Sequence, residues 1–426
     1  MVNDIKFPLS DNKLRDLFSG IANKDRVALA VSGGRDSMAL MHLIYRWKQK
    51  FTPNIEVQIV TVNHNMRKAS AGECEFVRKA STDYGFTHKI LSWEHEPIVT
   101  CIQERARNAR YQLILDYIRK VDIDTILTAH TADDNIETFF MRLAKGSGLN
   151  GLKSINKIRY ENGSQIMRPL LSLSRALITE ILTSTNNEWI DDPTNKDTNF
   201  ERVRVRNNID LLSKLNISSD NLTKTIQRLD RTHEALSYIA DSISRQSVKV
   251  SQLGYAEIDF DKLCHYPNEI ILRVFAKALT DINGGKVSLS SLENIYEGIL
   301  ETTKSMTLNG CLIIPQNNKY IIVRESRGIT PIEVNINEQI SWDGRFDVQL
   351  KSCNRANIII DQMGRSDDLG KMIDGTSFQK IPKLALKTLP GGFIEDKLVL
   401  LPNTHNIYYS GYLDVKFKIC EEKRHT

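Results

Sequence analysis

The residues most able to do chemistry form a short loop near the start of the chain. The loop follows the apolar run 27–31 and precedes an amphipathic stretch at 37–50, so it joins a predicted strand to a predicted helix. Its two glycines let backbone N–H groups converge, and a helix N-terminus adds partial positive charge, which favours a phosphate group. A plain tight turn is the alternative interpretation. The loop residues are Ser32, Gly33, Gly34, Arg35, Asp36 and Ser37.

A second polar segment follows a later apolar run. His130, Asp133, Asp134 and Glu137 fall at the end of that predicted strand and on the first turns of a predicted helix. The first loop lacks the G-K-[ST] ending of a P-loop, so a carboxylate among phosphates there implies a divalent cation. We expect Asp36 and Asp134 to hold Mg²⁺ together. Helix capping is the alternative role for Asp133 and Asp134.

Arginines form two further groups. Arg107 and Arg110 lie one helical turn apart, and either a surface ion pair or a phosphate contact accounts for them. Arg202, Arg204 and Arg206 alternate with valines, which places three guanidinium groups on one side of a predicted extended segment. Such an array favours contacts with a nucleic-acid backbone.

The elements that position these residues alternate along the first part of the chain. Between residue 26 and about 180, short apolar runs are separated by amphipathic segments. This alternation predicts an α/β fold, a doubly wound parallel sheet with helices on both faces and ligands at the carboxyl ends of its strands. The expected strands are 27–31, 57–62, 89–91, 125–128 and 166–171, and the expected helices are 37–50, 71–84, 101–119, 134–144 and 175–183.

The remainder of the chain divides at changes of pattern. Turn formers at 186–210 indicate a linker, and helical spacing then predicts a long amphipathic helix over 222–243, in which His233 is interpreted as a packed interface residue. After residue 328 the pattern becomes strand-rich. The predicted domains are 1–212 for the α/β domain, 213–330 for a mainly helical domain and 334–426 for a small mixed, strand-rich domain.

Composition narrows the class of protein. Lys and Arg number 57 against 52 Asp and Glu, so the net charge of +5 permits a polyanionic partner without requiring one. The six cysteines form no C-x-x-C pair, which argues against a zinc ribbon or an iron–sulfur cluster and favours free thiols in a reducing compartment. The sequence shows no signal peptide and no membrane span, so we expect a cytoplasmic protein.

Several motifs in the first domain carry a family resemblance. The loop at 32–37 resembles the S-G-G-x-D-S loop of the N-type ATP pyrophosphatases, which cleave ATP between its α and β phosphates. Residues 128–138 are similar to T-x-H-H-x-D-D-x-x-E-T, the signature of the branch acting on tRNA, with Thr131 and Asn135 replacing a histidine and a glutamine. Segments at 64–67, 104–111, 142–152, 168–171 and 192–207 are similar to further motifs of the tRNA(Ile)-lysidine synthetase family.

The resemblance implies a fold like that of the adenine nucleotide α-hydrolases and an ATP-dependent ligase. Such an enzyme joins L-lysine to C2 of the first anticodon cytidine of tRNA(Ile) with a CAU anticodon, through an adenylated tRNA intermediate. Lysidine formation changes codon reading from AUG to AUA. The implied cofactors are ATP and Mg²⁺, and the parts at 213–330 and 334–426 are expected to contact the tRNA.

The resemblance also implies roles for individual residues. The loop at 32–37 is expected to bind pyrophosphate, Asp36 and Asp134 to hold Mg²⁺, and Arg110 to hold a phosphate or the target base. Either Glu137 or His130 takes the proton of the lysine amine.

Three alternatives stay open at this point. They are a sulfur-inserting tRNA enzyme, a small-molecule amide synthetase of the same fold, and a tRNA-binding protein without catalysis. A homodimer is one expected oligomeric state.

Overall fold

The protein is described here by a computed structural model. It describes residues 7–65, 70–95, 102–161, 163–191, 197–285, 287–301, 304–352, 358–374, 376–402 and 412–418. The chain divides into two compact units, Met1–His233 and Glu234–Thr426. The predicted boundaries near 212 and 330 stay predictions.

A six-stranded sheet forms the centre of the first unit. Its strands lie in the order β3-β2-β1-β4-β6-β5, and every neighbouring pair is parallel except β5 and β6. β2 and β3 are added on one side of β1, and β4 and the later strands are added on its other side. The direction of strand addition therefore reverses between β1 and β4. The strands are β1 (Arg26–Ala30), β2 (Glu56–Asn63), β3 (Thr87–Ser92), β4 (Thr125–Leu127), β5 (Ile158–Glu161) and β6 (Ser164–Met167).

Helices cover both faces of this sheet, which confirms the predicted α/β class. Val27 and Leu29 belong to one buried apolar cluster, whereas the intervening Ala28 belongs to another. Successive strand residues point to opposite faces, so each strand contributes to two cores. The helices are α1 (Asp11–Leu17), α2 (Arg35–Phe51), α3 (Ser70–Asp83), α4 (Ile102–Lys120), α5 (Ala132–Leu143), α6 (Leu149–Leu152), α7 (Arg175–Ser184), α8 (Glu201–Leu212) and α9 (Ser219–Ser247).

The predicted linker at 186–210 is wrong in its second half, because α8 occupies part of it. In a helix, residues four apart share a face, so Arg202 and Arg206 lie together and Arg204 points elsewhere. Val203 is buried, and Ile209 packs against the small apolar cluster formed by α5 and α9. The alternation of arginine and valine over a few residues was therefore mistaken for the period of a strand.

The second unit begins with a five-stranded antiparallel sheet in the order β7-β8-β11-β10-β9. The sequence pattern predicts helices over 269–279 and 289–300 and strands over 311–314 and 320–323, and the structure confirms all four. The short strands β7, β8 and β9 were not predicted, so this region is less helical than expected. The elements are β7 (Val248–Val250), β8 (Tyr255–Asp259), α10 (Phe260–Leu263), α11 (Asn268–Asn283), α12 (Leu289–Glu301), β9 (Met306–Leu308), β10 (Cys311–Gln316) and β11 (Lys319–Arg324).

The end of the chain is strand-rich, as predicted. Its strands form two sheets, β12-β15-β16-β17 and β13-β14-β18. One buried apolar cluster extends from Ala240 to Leu401, across the predicted boundary near 330. The elements are β12 (Ile332–Val334), β13 (Gln339–Trp342), β14 (Phe346–Ser352), β15 (Ile358–Gln362), α13 (Leu369–Met372), α14 (Lys383–Lys387), β16 (Pro390–Ile394), β17 (Lys397–Leu400) and β18 (Tyr412–Phe417).

Within the described ranges, no helix combines the length and apolar character that a membrane crossing needs.

Three cysteines of the described ranges, Cys74, Cys264 and Cys311, are free thiols. Burial raises the pKa of Cys311 to about 12, so this thiol stays protonated and acts as a small apolar side chain.

A histidine lies inside the first core. His42 on α2 is 7% exposed, and its Nδ1 lies 2.9 Å from the Tyr84 hydroxyl and 3.2 Å from Asn187 Nδ2. Burial, together with the charge of Arg46, lowers the pKa of His42 to about 4. The folded chain therefore holds this imidazole neutral.

We predict that His42 makes the free energy of unfolding depend on pH. Between the ordinary histidine pKa of 6.5 and the lowered value near 4, the unfolded state binds a proton that the folded state does not. The stabilisation from the neutral His42 is fully present above pH 6.5 and is lost as the pH falls, which lowers the free energy of unfolding by about 2 kcal/mol between pH 7 and pH 5. In His42→Gln, urea denaturation at both pH values should show a fall in the free energy of unfolding that is smaller than in the wild type by that amount. The exposed His265→Gln is the control, and an unchanged decrease in His42→Gln would contradict the assignment.

Candidate active site

The loop at 32–37 has the geometry of an anion site. Gly33 adopts φ +83°, and Gly34 is the N-cap of the 17-residue helix α2. The Ser37 hydroxyl donates to the Gly34 carbonyl at 2.8 Å and lies 3.2 Å from the Ser32 backbone nitrogen, which closes the turn. A Cβ at Gly33 would lie 3.1 Å from Ile190 Cδ1, so both φ and packing require glycine. The loop thus presents a helix N-terminus at the carboxyl end of β1.

Asp36 projects from the first turn of α2 beside two arginines. Its Oδ1 accepts from Arg35 Nε at 3.2 Å, and its Oδ2 lies 4.0 Å from Arg175 Nε. Burial raises the pKa of Asp36, and the nearby charge of Asp134 raises it further, whereas Arg35 and Arg175 lower it. The carboxylate is therefore in a place where an added cation would stabilise its charged form.

The N-terminus of α5 brings Asp134 to the same region. Thr131, which is fully buried, is the N-cap and forms a capping box with Asp134. Asp134 Oδ2 accepts from the Thr131 backbone N–H at 2.8 Å, while Oδ1 lies 3.2 Å from both Arg175 Nη2 and Arg202 Nη2. Capping thus uses one oxygen and leaves the other facing the cationic groups. Asp133 has a separate role, because its Oδ2 accepts from the Arg175 backbone N–H at 2.6 Å, at the start of α7.

Glu137 lies one turn further along α5 and has no exposed surface. Arg202 Nε donates to its Oε2 at 2.6 Å, and Arg206 Nε donates to its Oε1 at 2.7 Å. Arg175 Nη1 lies 3.3 Å from the same Oε1. Three guanidinium groups therefore surround one buried carboxylate. With Arg35 and Asp133 included, the four carboxylates of Asp36, Asp133, Asp134 and Glu137 balance four arginines.

His130 follows β4, and Arg110 lies on α4, the helix that precedes this strand. His130 Nδ1 is 3.1 Å from the Thr128 hydroxyl. Burial holds the pKa of His130 well below its usual value, and the charges of Arg168, Arg107, Arg202 and Arg110 lower it further. The imidazole is therefore neutral near pH 7.

Arg110 is held by a second neutral imidazole. Its Nε and Nη2 lie 3.2 Å and 3.1 Å from His64 Nε2, at the end of β2. Burial, together with the charges of Arg110 and His95, lowers the pKa of His64 to about 4. The uncharged ring can accept from Arg110, which positions the guanidinium group at the carboxyl edge of the sheet.

The similarity to known proteins agrees with this arrangement. A family model described as a PP-loop domain matches residues 8–211. The tRNA(Ile)-lysidine synthase of Wolbachia pipientis wMel is 34% identical over 360 residues, which cover 82% of this chain and 83% of that protein. The chain belongs to the tRNA(Ile)-lysidine synthase family. Two further members are similar: that of a Wolbachia from Brugia malayi is 31% identical over 85% of this chain and 86% of its own length, and that of Rickettsia bellii RML369-C is 30% identical over 95% and 94%.

In this lysidine synthase family member, the structure brings most predicted site residues together. The loop at 32–37, Asp134, Glu137 and His130 follow the neighbouring strands β1 and β4. Arg202 and Arg206 join the carboxylates, whereas Arg204 donates to the carbonyls of Thr198 and Asn199 instead. Met66, Arg67 and the segment 192–196, which belong to motifs of the resemblance, lie outside the described residues.

Sequence reasoning missed Arg175 and the contact between His64 and Arg110. Arg175 was assigned only to the start of a helix, yet it contacts Asp36, Asp134 and Glu137. Its position directly after Ser174, which caps α7, gave no sign of these partners. The only available signal was the family similarity of the nearby segment 168–171.

The residues fit Mg²⁺ that is bound together with a substrate phosphate. In the described parts of the chain, no group of three or more His, Cys, Asp or Glu side chains could hold a metal ion. Mg²⁺ commonly uses one or two carboxylates, with phosphate oxygens and water completing the octahedron. Asp36 and Asp134 supply such a pair, because the two carboxylates are close enough for the charge of Asp134 to act on Asp36.

We predict that Glu137 has a structural role that a neutral side chain cannot replace. Glu137→Gln removes the buried negative charge and leaves Arg175, Arg202 and Arg206 with excess positive charge. Losing one partner of a buried ionic group should lower the free energy of unfolding by about 3 kcal/mol or more, measured by urea denaturation. The matched control is Glu201→Gln on α8, whose carboxylate forms an exposed pair with Lys145. Equal stability of the two variants would count against this role.

Proposed function

We propose that the chain catalyses ATP-dependent formation of lysidine on tRNA(Ile), with L-lysine as the second substrate and the first cytidine of a CAU anticodon as the target. The observation that carries the proposal is the loop at 32–37 lying beside Asp134 and His130 where the strand order reverses. This is the position at which doubly wound sheets bind nucleotides. The similarity to tRNA(Ile)-lysidine synthases over most of the chain supports the same activity.

The first step is adenylation of the cytidine. The C2 carbonyl oxygen attacks the α phosphorus of ATP, a new P–O bond forms, and pyrophosphate leaves with the electrons of the broken P–O bond. The backbone N–H groups at the start of α2 bind the leaving pyrophosphate. Mg²⁺, held by Asp36 and Asp134 with the phosphates, would neutralise part of the charge on these oxygens.

The second step is attack by lysine. The neutral ε-amine forms a C–N bond at C2, AMP leaves with the electrons of the C–O bond, and the amine gives up a proton. Glu137 is unsuited to accept it, because both of its oxygens are bound by arginines and none of its surface is exposed. We assign the proton transfer to His130, whose ring is neutral and whose Nδ1 lies 3.1 Å from the Thr128 hydroxyl. In the tautomer that donates from Nδ1 to this hydroxyl, Nε2 is the acceptor.

The three arginines of α8 divide between two roles in this proposal. Arg202 and Arg206 build the active site, because they bind Glu137. Arg204 is exposed and is proposed to contact the tRNA backbone. The parts at 213–330 and 334–426 are proposed as further tRNA contacts. A cytoplasmic location and a homodimer remain part of the proposal.

Two variants should block different steps of the reaction. The protein is incubated with Mg²⁺, ATP, labelled lysine and an unmodified tRNA(Ile) transcript bearing CAU, and both pyrophosphate and lysine-labelled tRNA are counted. Asp36→Asn should slow pyrophosphate release at least about 100-fold, because one of the two carboxylates proposed to hold Mg²⁺ is lost. His130→Gln should slow lysine transfer about 100-fold while adenylation continues. The exposed His265→Gln serves as the control.

The outcomes separate the parts of the proposal. Absence of lysine-labelled tRNA with the wild-type protein contradicts the proposed function. Normal lysine transfer by His130→Gln contradicts the assigned proton acceptor and leaves the function standing.

A further inference from the structure

A basic cavity lies between α4 and the hairpin of β5 and β6. Its volume is about 180 Å³, and it is lined by Arg107, Tyr111 and Gln112 from α4 and by Arg159 and Glu161 from β5. The Arg107 guanidinium lies 5.5 Å from the centroid of the Tyr111 ring. Arg159 Nη2 lies 2.9 Å from Glu161 Oε2. The cavity therefore has two guanidinium groups and one carboxylate on its walls, so it keeps a net positive charge.

A buried arginine lies next to this cavity. Arg168 is 3% exposed, and its Nη1 donates to the Asn156 carbonyl at 2.7 Å. Its side chain is also hydrogen-bonded to Tyr111, a wall of the cavity, and its Nε is buried without a partner. Burial lowers the pKa of Arg168, and the charges of Arg159 and Arg107 lower it further, whereas Tyr111 raises it. A buried cation of this kind is costly unless an anion compensates it.

The charges around this cavity differ from those of the carboxylate site. Around Glu137, four carboxylates balance four arginines when Arg35 and Asp133 are counted. Among the described residues, no carboxylate forms an ion pair with Arg107, Arg110 or Arg168. Arg110 instead contacts the neutral His64. This side of the protein therefore has positive charge that a ligand can compensate.

The cavity is close to the reacting end of the sheet. Arg168 follows β6 directly, and β6 pairs with β4, which is followed by His130. Arg168 and Arg107 both lower the pKa of His130, so both are within electrostatic range of it. A group bound to Arg107 in the cavity would thus lie near His130, the residue proposed to accept the lysine proton.

We propose that this cavity binds a phosphodiester of the tRNA anticodon loop next to the target cytidine. The inference rests on the proposed function. Arg107 and Arg159 supply the charge-assisted hydrogen bonds, and Arg168 supplies a fixed positive charge behind them. The contact anchors the strand so that the extruded cytidine meets His130 and the α phosphate, while ATP occupies the separate loop at 32–37.

The test measures binding of a fluorescent CAU anticodon stem-loop to the full-length protein between 50 and 200 mM salt. Arg107→Gln and Arg159→Gln should each weaken binding roughly 5- to 10-fold and reduce the slope of log affinity against log salt by about 0.7–0.9. Arg119→Gln, which removes the same charge from the far end of α4, should match the wild type. A change in Arg107→Gln no larger than that in Arg119→Gln overturns the inference.

A chemical substitution in the RNA locates the contact. An uncharged methylphosphonate is placed in turn at each phosphate of the anticodon loop, and binding is measured with wild type and Arg107→Gln. At one phosphate next to the cytidine, the methylphosphonate and Arg107→Gln together should weaken binding no more than either change alone. Additive losses at every phosphate overturn the inference.

Lysine transfer by the wild-type protein is measured in parallel. Normal transfer combined with additive losses rejects the cavity but not the function. If the wild-type protein transfers no lysine but the methylphosphonate and Arg107→Gln have non-additive effects at one phosphate, the proposed function is rejected and an RNA phosphate site in the cavity is supported.

Discussion

The buried carboxylate of Glu137 is the interaction on which the rest of the site depends. It lies on α5, and the three guanidinium groups around it come from α7 and α8. A single buried charge would be strongly unfavourable, but the hydrogen bonds from Arg202 and Arg206 compensate it. Arg175 extends the same network to Asp36 on α2. One ionised side chain thus joins helices that follow three different strands of the sheet.

Around this network, the fold separates two electrostatic environments. At the carboxylates, positive and negative side chains balance, which suits a site that receives both a polyanionic nucleotide and a divalent cation. Beside His130, burial lowers the pKa of the imidazole, and the charges of Arg168 and Arg107 lower it further. That environment suits a backbone phosphate of RNA. Both environments meet at the ends of β4 and β6, where the chemistry is proposed to occur.

The sequence predicted strands β1 to β4, the loop at 32–37 and the acidic segment at 130–137 well, because each depends on local rules. It missed the antiparallel edge strand β5 and extended β6 too far, since a short turn of 3-10 helix covers 169–172. A buried strand followed by Gly33 and Gly34 defines a turn, and the spacing from Thr131 to Asp134 defines a helix start. Ion pairing between distant residues follows no local rule. Glu137 therefore looked like a candidate base, Arg175 was missed, and α8 was predicted as an extended segment because a few alternating residues fit a strand as well as a helix.

A double-mutant cycle on Glu137 and Arg206 tests the central claim most directly. The free energy of unfolding is measured for the wild type, Glu137→Gln, Arg206→Gln and the variant with both changes. If these side chains form a buried ionic pair, the coupling energy should be about 2 kcal/mol or more, because the second change costs little once the first has removed the partner. Additive losses, with a coupling energy below about 0.5 kcal/mol, would contradict the account.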